Sequence, residues 1–249
     1  ARQAVGLAQN SPRAEVQEAA DFGGDSRELA RKAAATDAEV ILFCGVHFMA
    51  ETAKILSPQK TVLMPDARAG CPMANMITAA DVRALRAEHP DAAVVAYVNT
   101  TAAVKAEVDV CCTSANAVEI VGRSPAGQEI VFVPDQHLGD WVQRQTGRRM
   151  ILWPGYCPVH AVIQPDDIVA RRAEHPDAKV MAHPECSRAV VDLADVVTST
   201  SGMLRYPETD DAPAYIVATE VGLLTGLRKR HPGRTFVPAT EYSVCADMK

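Results

Sequence analysis

The sequence repeats itself at a spacing of 86 residues, and this feature restricts the possible folds more than any other. Residues 86–99 (RAEHPDAAVVAYVN) recur as residues 172–185 (RAEHPDAKVMAHPE). Residues 109–116 (DVCCTSAN) recur as residues 195–202 (DVVTSTSG) at the same spacing. Self-similarity at one fixed spacing indicates that the chain is built from copies of one supersecondary unit.

A fainter third copy lies upstream, where residues 8–10 match residues 97–99 and Asp21 occupies the place of Asp109. In each copy, short apolar runs alternate with helical patterns, which predicts parallel βαβ units. We therefore expect an α/β fold of three units related by a pseudo-threefold axis, each a short parallel sheet flanked by helices. The predicted boundaries are 1–80, 81–165 and 166–249, and we expect the active site at the centre.

Three of the seven cysteines are in register with the repeat. Cys71, Cys157 and Cys245 each follow the last predicted strand of a unit, at intervals of 86 and 88 residues. Functional groups collect beyond the carboxyl ends of parallel strands, so pseudo-threefold packing predicts that the three thiols meet. Three equivalent thiolates match three corners of a cubane iron–sulfur cluster. The fourth iron would stay open to act as a Lewis acid, which favours dehydration chemistry.

The other cysteines lack this register. We expect Cys44 to lie in the core and the adjacent Cys111 and Cys112 to be structural. Cys186 is the one remaining candidate for a fourth ligand, although the other units have no counterpart for it.

Two further rows of polar residues recur at strand ends. The first contains Ser26, Ser114 and Thr200, which either cap helices or bind a carboxylate or phosphate group. The second combines amides with groups suited to proton transfer. Its members are Gln9, Asn10, Tyr97, Asn99, His183 and Glu185.

Composition and charge argue against several classes of protein. The formal net charge of -6 argues against a nucleic-acid partner. No apolar run approaches the roughly 18 residues of a membrane span. The odd number of cysteines and the lack of a secretory segment predict a reducing compartment, the cytoplasm. The sequence begins at Ala1 without a methionine and stops abruptly at Lys249, so we also expect a chain truncated at both ends.

Several motifs together resemble the quinolinate synthase family, over nearly the whole chain from about Val16 onward. They are FCGVHFMAE (residues 43–51), MPDARAGCPMAN (64–75), YVN (97–99), CTSANAV (112–118), CPVH (157–160), HPEC (183–186) and CADMK (245–249).

The resemblance implies an enzyme of NAD biosynthesis that makes quinolinate from iminoaspartate and dihydroxyacetone phosphate. Its cofactor would be a [4Fe–4S] cluster on Cys71, Cys157 and Cys245. The implied substrate contacts are Ser26, Tyr97, Asn99, Ser114, His183, Glu185 and Thr200, and we expect Gln9, from the second polar row, to bind substrate as well. Glu185 would be a general base, and Tyr97 and His183 further catalytic groups. The resemblance also implies a functional link to an L-aspartate oxidase or dehydrogenase.

The first unit departs from the family pattern. Gln9 and Ser11 stand where the family has a histidine and a tyrosine. Gln9 cannot donate a proton near neutral pH, and Ser11 is too short to replace a tyrosine. An inactive or altered-function cluster-binding homologue is therefore the alternative, and an α/β binding domain without metal is a third hypothesis.

Overall fold

The computed structural model describes residues 4–248 and contains three four-stranded sheets, all parallel. Each sheet has the same order, in which the first strand of the unit lies between the second and the third, and the fourth follows the third. The prediction of an α/β fold with three related parallel sheets is therefore confirmed.

The first unit alternates strands and helices from its start. Its elements are β1 (Ala4–Gln9), α1 (Ala14–Ala19), β2 (Phe22–Gly24), α2 (Ser26–Ala35), β3 (Val40–Cys44), α3 (His47–Leu56) and β4 (Thr61–Leu63). Asp25 caps α2 by accepting hydrogen bonds from the backbone N–H groups of Arg27 and Glu28. This cap fixes the direction in which α2 leaves the sheet edge.

The second unit repeats this order after a 3-10 helix at Met73–Met76. Its elements are α4 (Ala79–Glu88), β5 (Ala93–Tyr97), α5 (Ala102–Lys105), β6 (Val110–Cys112), α6 (Ala117–Gly122), β7 (Ile130–Val133), α7 (Gln136–Thr146) and β8 (Ile151–Leu152). All four residues of β7 are buried, as expected for a strand covered by helices on both faces.

The third unit begins with two helices and then alternates strands and helices. Its elements are α8 (Pro158–Ala161), α9 (Pro165–Glu174), β9 (Ala178–Ala182), α10 (Arg188–Val191), β10 (Val196–Val197), α11 (Thr200–Arg205), β11 (Ala214–Ala218), α12 (Leu223–Arg230) and β12 (Thr235–Pro238). Further 3-10 helices occupy Tyr206–Glu208 and Ala246–Met248.

The apolar core follows from the sheets. One cluster joins the first two units, with Leu7 and Phe43 from the first and Phe132 from the second. Separate clusters cover the two faces of the third sheet. Within residues 4–248, no helix is both long and apolar enough to cross a membrane.

The predicted unit boundaries stay a prediction. The boundary between residues 80 and 81 falls inside α4, after the first two residues of that helix. The outermost boundaries, residues 1 and 249, lie outside the described residues.

Candidate active site

A cleft opens where the carboxyl ends of strands from the three units meet. It encloses about 930 Å3 of empty space, counting the part that is open to solvent. The structure brings every predicted site residue to this cleft, although the sequence places them up to 236 residues apart. They are Gln9, Ser26, Cys71, Tyr97, Asn99, Ser114, Cys157, His183, Glu185, Thr200 and Cys245.

The parallel sheets explain this convergence. The central strands β1, β5 and β9 end next to the cleft, so the polar residues that follow them face a common space. The serine and threonine row lies at the carboxyl ends of the edge strands β2, β6 and β10, next to the same cleft. Its members are Ser26, Ser114 and Thr200. In open parallel sheets, groups beyond the carboxyl ends of the strands are free of hydrogen bonds to the sheet and available to a ligand.

The three cysteines share one local structure. Each lies at or just before the start of a short helical turn: Cys157 is the N-cap of α8, Cys245 precedes the turn Ala246–Met248, and Cys71 precedes Met73–Met76. Backbone N–H groups of these turns point to the sulfur atoms. Such N–H···S hydrogen bonds stabilise a thiolate, which is the form that binds metal.

Burial opposes ionisation of these thiols when no metal is present. It raises the pKa of Cys71 to about 12 and the pKa of Cys157 well above its usual value. The negative charge of Glu185 raises both pKa values further. A second cysteine also raises each of them: Cys245 acts on Cys71, and Cys71 acts on Cys157. Three thiols that line one cleft, Cys245 buried and Cys71 and Cys157 half-buried, become thiolates only when cations compensate their charge, so this donor set fits a metal centre.

A second set of potential ligands overlaps the first. The ligand atoms of Cys157, His160 and Glu185 lie within 4.8 Å of one another. A single divalent ion could use this set, whereas a cubane cluster would use the three cysteines. The two arrangements share Cys157 and differ in the number of metal ions bound.

Tyr97 and Glu185 form a short, buried polar pair in the cleft. The Tyr97 hydroxyl donates a hydrogen bond of 2.5 Å to Glu185 Oε1, and both side chains are buried. Burial alone would raise the pKa of Glu185, but the imidazoles of His160 and His183 and the Tyr97 hydroxyl hold that pKa below its ordinary range. Burial and the adjacent carboxylate raise the pKa of Tyr97. Glu185 is therefore an ionised acceptor, and Tyr97 keeps its proton.

The hydrogen bonding of His183 indicates a neutral imidazole. The backbone N–H of Glu185 donates to Nδ1 of His183 at 3.3 Å, so that nitrogen is an acceptor and the ring proton is assigned to Nε2. Burial lowers the pKa of His183 to about 4 despite the nearby Glu185 carboxylate. The ring is thus neutral rather than a cation at neutral pH, with its proton on Nε2.

His160 is a cleft residue to which the sequence reasoning gave no role of its own. Its ring stacks on His183 with the centroids 4.8 Å apart, and its Nε2 lies 2.9 Å from the Thr219 hydroxyl. Its Nδ1 lies 3.0 Å from Glu185 Oε2, without the alignment of a hydrogen bond. The spacing Cys157-x-x-His160, one turn of α8, was the available signal, since it puts both side chains on one helical face.

The two departures from the family pattern line this cleft. Gln9 is the last residue of β1, Ser11 lies just beyond the strand, and Asn10 lies between them. The carbonyl oxygen of the Gln9 side chain and the amide nitrogen of Asn10 are buried without a hydrogen-bond partner in the described part of the chain. Unpaired buried polar atoms are costly, so these two atoms are suited to contact a bound ligand.

The remaining cysteines do not line the cleft. Cys112 is buried, Cys44 is half-buried in β3 and Cys111 is exposed. Cys186 is 1% exposed, and its thiol donates a hydrogen bond of 3.4 Å to the Ala218 carbonyl. Burial raises its pKa, so this thiol is held in its protonated form away from the cysteine trio.

Fold and site together define a class: an α/β enzyme of three related units with a thiol-lined cleft between them. The comparisons with known proteins agree. The model of the Quinolinate synthetase A protein family matches residues 1–249. The chain is 56% identical to a quinolinate synthase of Dehalococcoides mccartyi, over 100% of this chain and 82% of that protein. Quinolinate synthases of Desulforudis audaxviator and Methanoregula boonei are each 52% identical over the same shares. The chain belongs to the quinolinate synthetase A family.

Proposed function

We propose that this enzyme condenses iminoaspartate with dihydroxyacetone phosphate to give quinolinate, with the release of one phosphate and two waters. The observation that carries the proposal is the convergence of three in-register cysteines with the Tyr97–Glu185 pair in one cleft. Membership of the family and the names of the relatives support it. The product would enter NAD biosynthesis.

The proposed cofactor is a [4Fe–4S] cluster held by Cys71, Cys157 and Cys245. The number of thiols, their position in the cleft and the N–H groups directed at them support this assignment. When bound, the cluster would supply a Lewis acid at the iron that no cysteine holds. This chemistry suits the removal of hydroxyl groups as water.

Glu185 is the proposed general base. An ionised carboxylate that is buried and held by a tyrosine hydroxyl is positioned to take a proton from carbon or nitrogen. Tyr97 would orient this carboxylate and return the proton, and the neutral His183 would donate a hydrogen bond through Nε2. The three residues are the proposed catalytic groups.

Polar groups around the cleft are the proposed substrate contacts. The two substrates carry carboxylates, a phosphate and a carbonyl, all of which accept hydrogen bonds. Hydroxyls and amides from all three units line the cleft and can donate to these groups. The proposed contacts are Gln9, Ser26, Tyr97, Asn99, Ser114, His183, Glu185 and Thr200. An enzyme that oxidises or dehydrogenates L-aspartate would supply the iminoaspartate.

A second candidate function follows from Gln9 and Ser11. Both line the cleft, and neither can transfer a proton as the family's histidine and tyrosine would. In this alternative, the chain binds the cluster but does not make quinolinate, or accepts a different substrate.

An anaerobic assay with the cluster-loaded protein separates the two candidates. Iminoaspartate is generated in the reaction mixture, dihydroxyacetone phosphate is added, and quinolinate is quantified by mass spectrometry. Quinolinate formed by the unaltered chain supports the first candidate. If only the Gln9→His/Ser11→Tyr double variant forms it, the second is correct. If both bind the cluster and neither forms quinolinate, the proposed reaction is wrong.

A further inference from the structure

One backbone hydrogen bond recurs in all three units and ties the third strand to the cysteine loop. In each case the acceptor is the carbonyl two residues before the cysteine, and the donor lies three residues beyond the third strand of the unit. The pairs are His47 N–H to Ala69 O at 2.8 Å, Gln136 N–H to Gly155 O at 2.9 Å and Val221 N–H to Ser243 O at 3.0 Å. The residues just before these donors are therefore structurally equivalent.

Those equivalent residues are Val46, Asp135 and Glu220, and two of the three are buried acids. Glu220 is 4% exposed and accepts two backbone hydrogen bonds. Its Oε1 accepts from the N–H of Cys245 at 3.2 Å, and its Oε2 accepts from the N–H of Gly222 at 2.7 Å. One carboxylate thus joins the end of the third strand to the backbone of the cysteine itself.

Asp135 occupies the same place in the second unit. Its Oδ1 accepts from the N–H groups of His137 and Leu138, each at 2.8 Å, and so caps α7. The backbone N–H of Cys157 also interacts with this carboxyl group. That interaction is weaker than the Glu220 bond, because Oδ2 has no hydrogen-bond partner within residues 4–248.

The first unit lacks such a group. Val46 is 3% exposed and apolar, so its side chain cannot accept the N–H of Cys71. The Cys71 loop therefore depends on the backbone bond from His47 and on its own helical turn.

We propose that Glu220 is a positioning residue that holds Cys245 at the cleft, and that Asp135 is its counterpart for Cys157. Hydrogen bonds to an ionised carboxylate are roughly twice as strong as those between neutral groups, so the Glu220 bond restrains the Cys245 loop before any metal arrives. Burial and the nearby charge of Glu185 raise the pKa of Asp135, so the restraint on Cys157 is the weaker of the two. A pre-ordered ligand loses less conformational entropy on binding. The benefit of this positioning for ligand binding rests on the proposed cluster. The restraint on the loop is already present in the metal-free protein.

Thiol labelling of the metal-free protein tests the restraint. Alkylation of each cysteine by N-ethylmaleimide is followed by peptide mass spectrometry in Glu220→Ala and Glu220→Gln. We expect Glu220→Ala to raise the labelling rate of Cys245 by roughly tenfold, the change that loss of one hydrogen bond to a charged group corresponds to. Glu220→Gln keeps one acceptor oxygen, so its labelling rate for Cys245 should lie between those of the unaltered protein and Glu220→Ala. Cys71 serves as the internal reference and should change less than about twofold.

The matched control is Glu241→Gln, which removes the same charge from an exposed side chain of the same loop. It should leave the labelling of Cys245 unchanged. Asp135→Asn should raise the labelling of Cys157 but not of Cys245. Circular dichroism identifies any variant that does not fold, and Glu220→Gln, the smaller change, then decides.

Equal acceleration at all three cysteines, or a rate for Cys245 within twofold of the unaltered protein, would overturn the positioning role. The result is independent of quinolinate formation. A chain with specific acceleration at Cys245 but no enzymatic product would refute the proposed reaction and leave the positioning role intact.

Discussion

Replacement of Tyr97 by phenylalanine removes one hydroxyl from the centre of the cleft and leaves the ring in place. That hydroxyl is the partner of Glu185 Oε1 at 2.5 Å, and the two residues are 5% and 3% exposed. Hydrogen bonds to charged groups contribute roughly 1.5–3 kcal/mol, and an ionised carboxylate that loses its partner in a buried site falls in the upper part of that range. We expect the free energy of unfolding of the metal-free protein to fall by about 2–3 kcal/mol.

The assay is urea denaturation of the metal-free protein at pH 7, followed by circular dichroism. The matched control is Tyr206→Phe, whose hydroxyl donates to Asp210 Oδ2 at 3.2 Å in a more exposed setting where Lys179 also pairs with that carboxylate. This variant should lose less than about 1 kcal/mol. The cluster-loaded Tyr97→Phe enzyme should also lose at least about 100-fold in kcat, the lower end for a proton-transfer group. Equal, small losses of stability in the two variants would refute the argument that the Tyr97–Glu185 pair is a strong buried interaction.

Three further predictions concern the metal centre, the cysteine loop and pH. Cys71→Ser should lose most of the iron bound after anaerobic reconstitution, whereas Cys44→Ser, in a strand away from the cleft, should retain it; equal iron contents would contradict the assignment. Gly155→Ala should cost about 1–3 kcal/mol in urea denaturation, because its Cβ would lie 2.4 Å from a backbone oxygen, while Gly122→Ala, with nothing within 4 Å, should be neutral or stabilising; the reverse order would be a contradiction. Burial lowers the pKa of His183 to about 4, so the stability that comes from its neutral ring is complete above pH 6.5 and is lost as the pH falls towards 4. Across that window, His183→Gln should reduce the pH slope of the unfolding free energy of the metal-free protein by up to about 1.4 kcal/mol per pH unit, and an unchanged slope would argue against a buried neutral histidine.

The fold was predictable because the repeat carries the pattern of the strands. The apolar runs that become β5 and β9 are copies of one another, and their register within the sheets is the same. Element ends were less accessible to sequence reasoning. For example, α4 begins at Ala79 because Thr78 and Asp81 form a capping box, and this local signal overrides a boundary placed by the period of the repeat.

Much of the candidate site was also predictable, since residues in register across a repeat occupy equivalent places. The groups that hold those residues in place could not be predicted from the sequence. His160 reaches Glu185 from the turn that follows Cys157, and Glu220 reaches Cys245 through a hydrogen bond between side chain and backbone. Such contacts depend on the conformation of the loops, which the periodicity of the sequence does not predict. The equivalence of Asp135 and Glu220 becomes visible only when the strand ends are aligned in space.

The role of Cys186 was left open by the sequence for a related reason. Its place beside Glu185 suggested a ligand, but both residues lie in the turn beyond β9, where no strand periodicity predicts the direction of a side chain. The thiol donates to the carbonyl of Ala218 in the neighbouring strand β11, and the packing around it leaves 1% of the residue exposed.

The central claim is that one cysteine from each unit holds a single iron–sulfur cluster. Its most direct test is the iron and acid-labile sulfide content per chain after anaerobic reconstitution and desalting. We predict about four irons and about four sulfides per chain, the composition of one [4Fe–4S] cluster. A single metal ion without sulfide would instead indicate the site of Cys157, His160 and Glu185, and would contradict the claim, as would a protein that retains no iron.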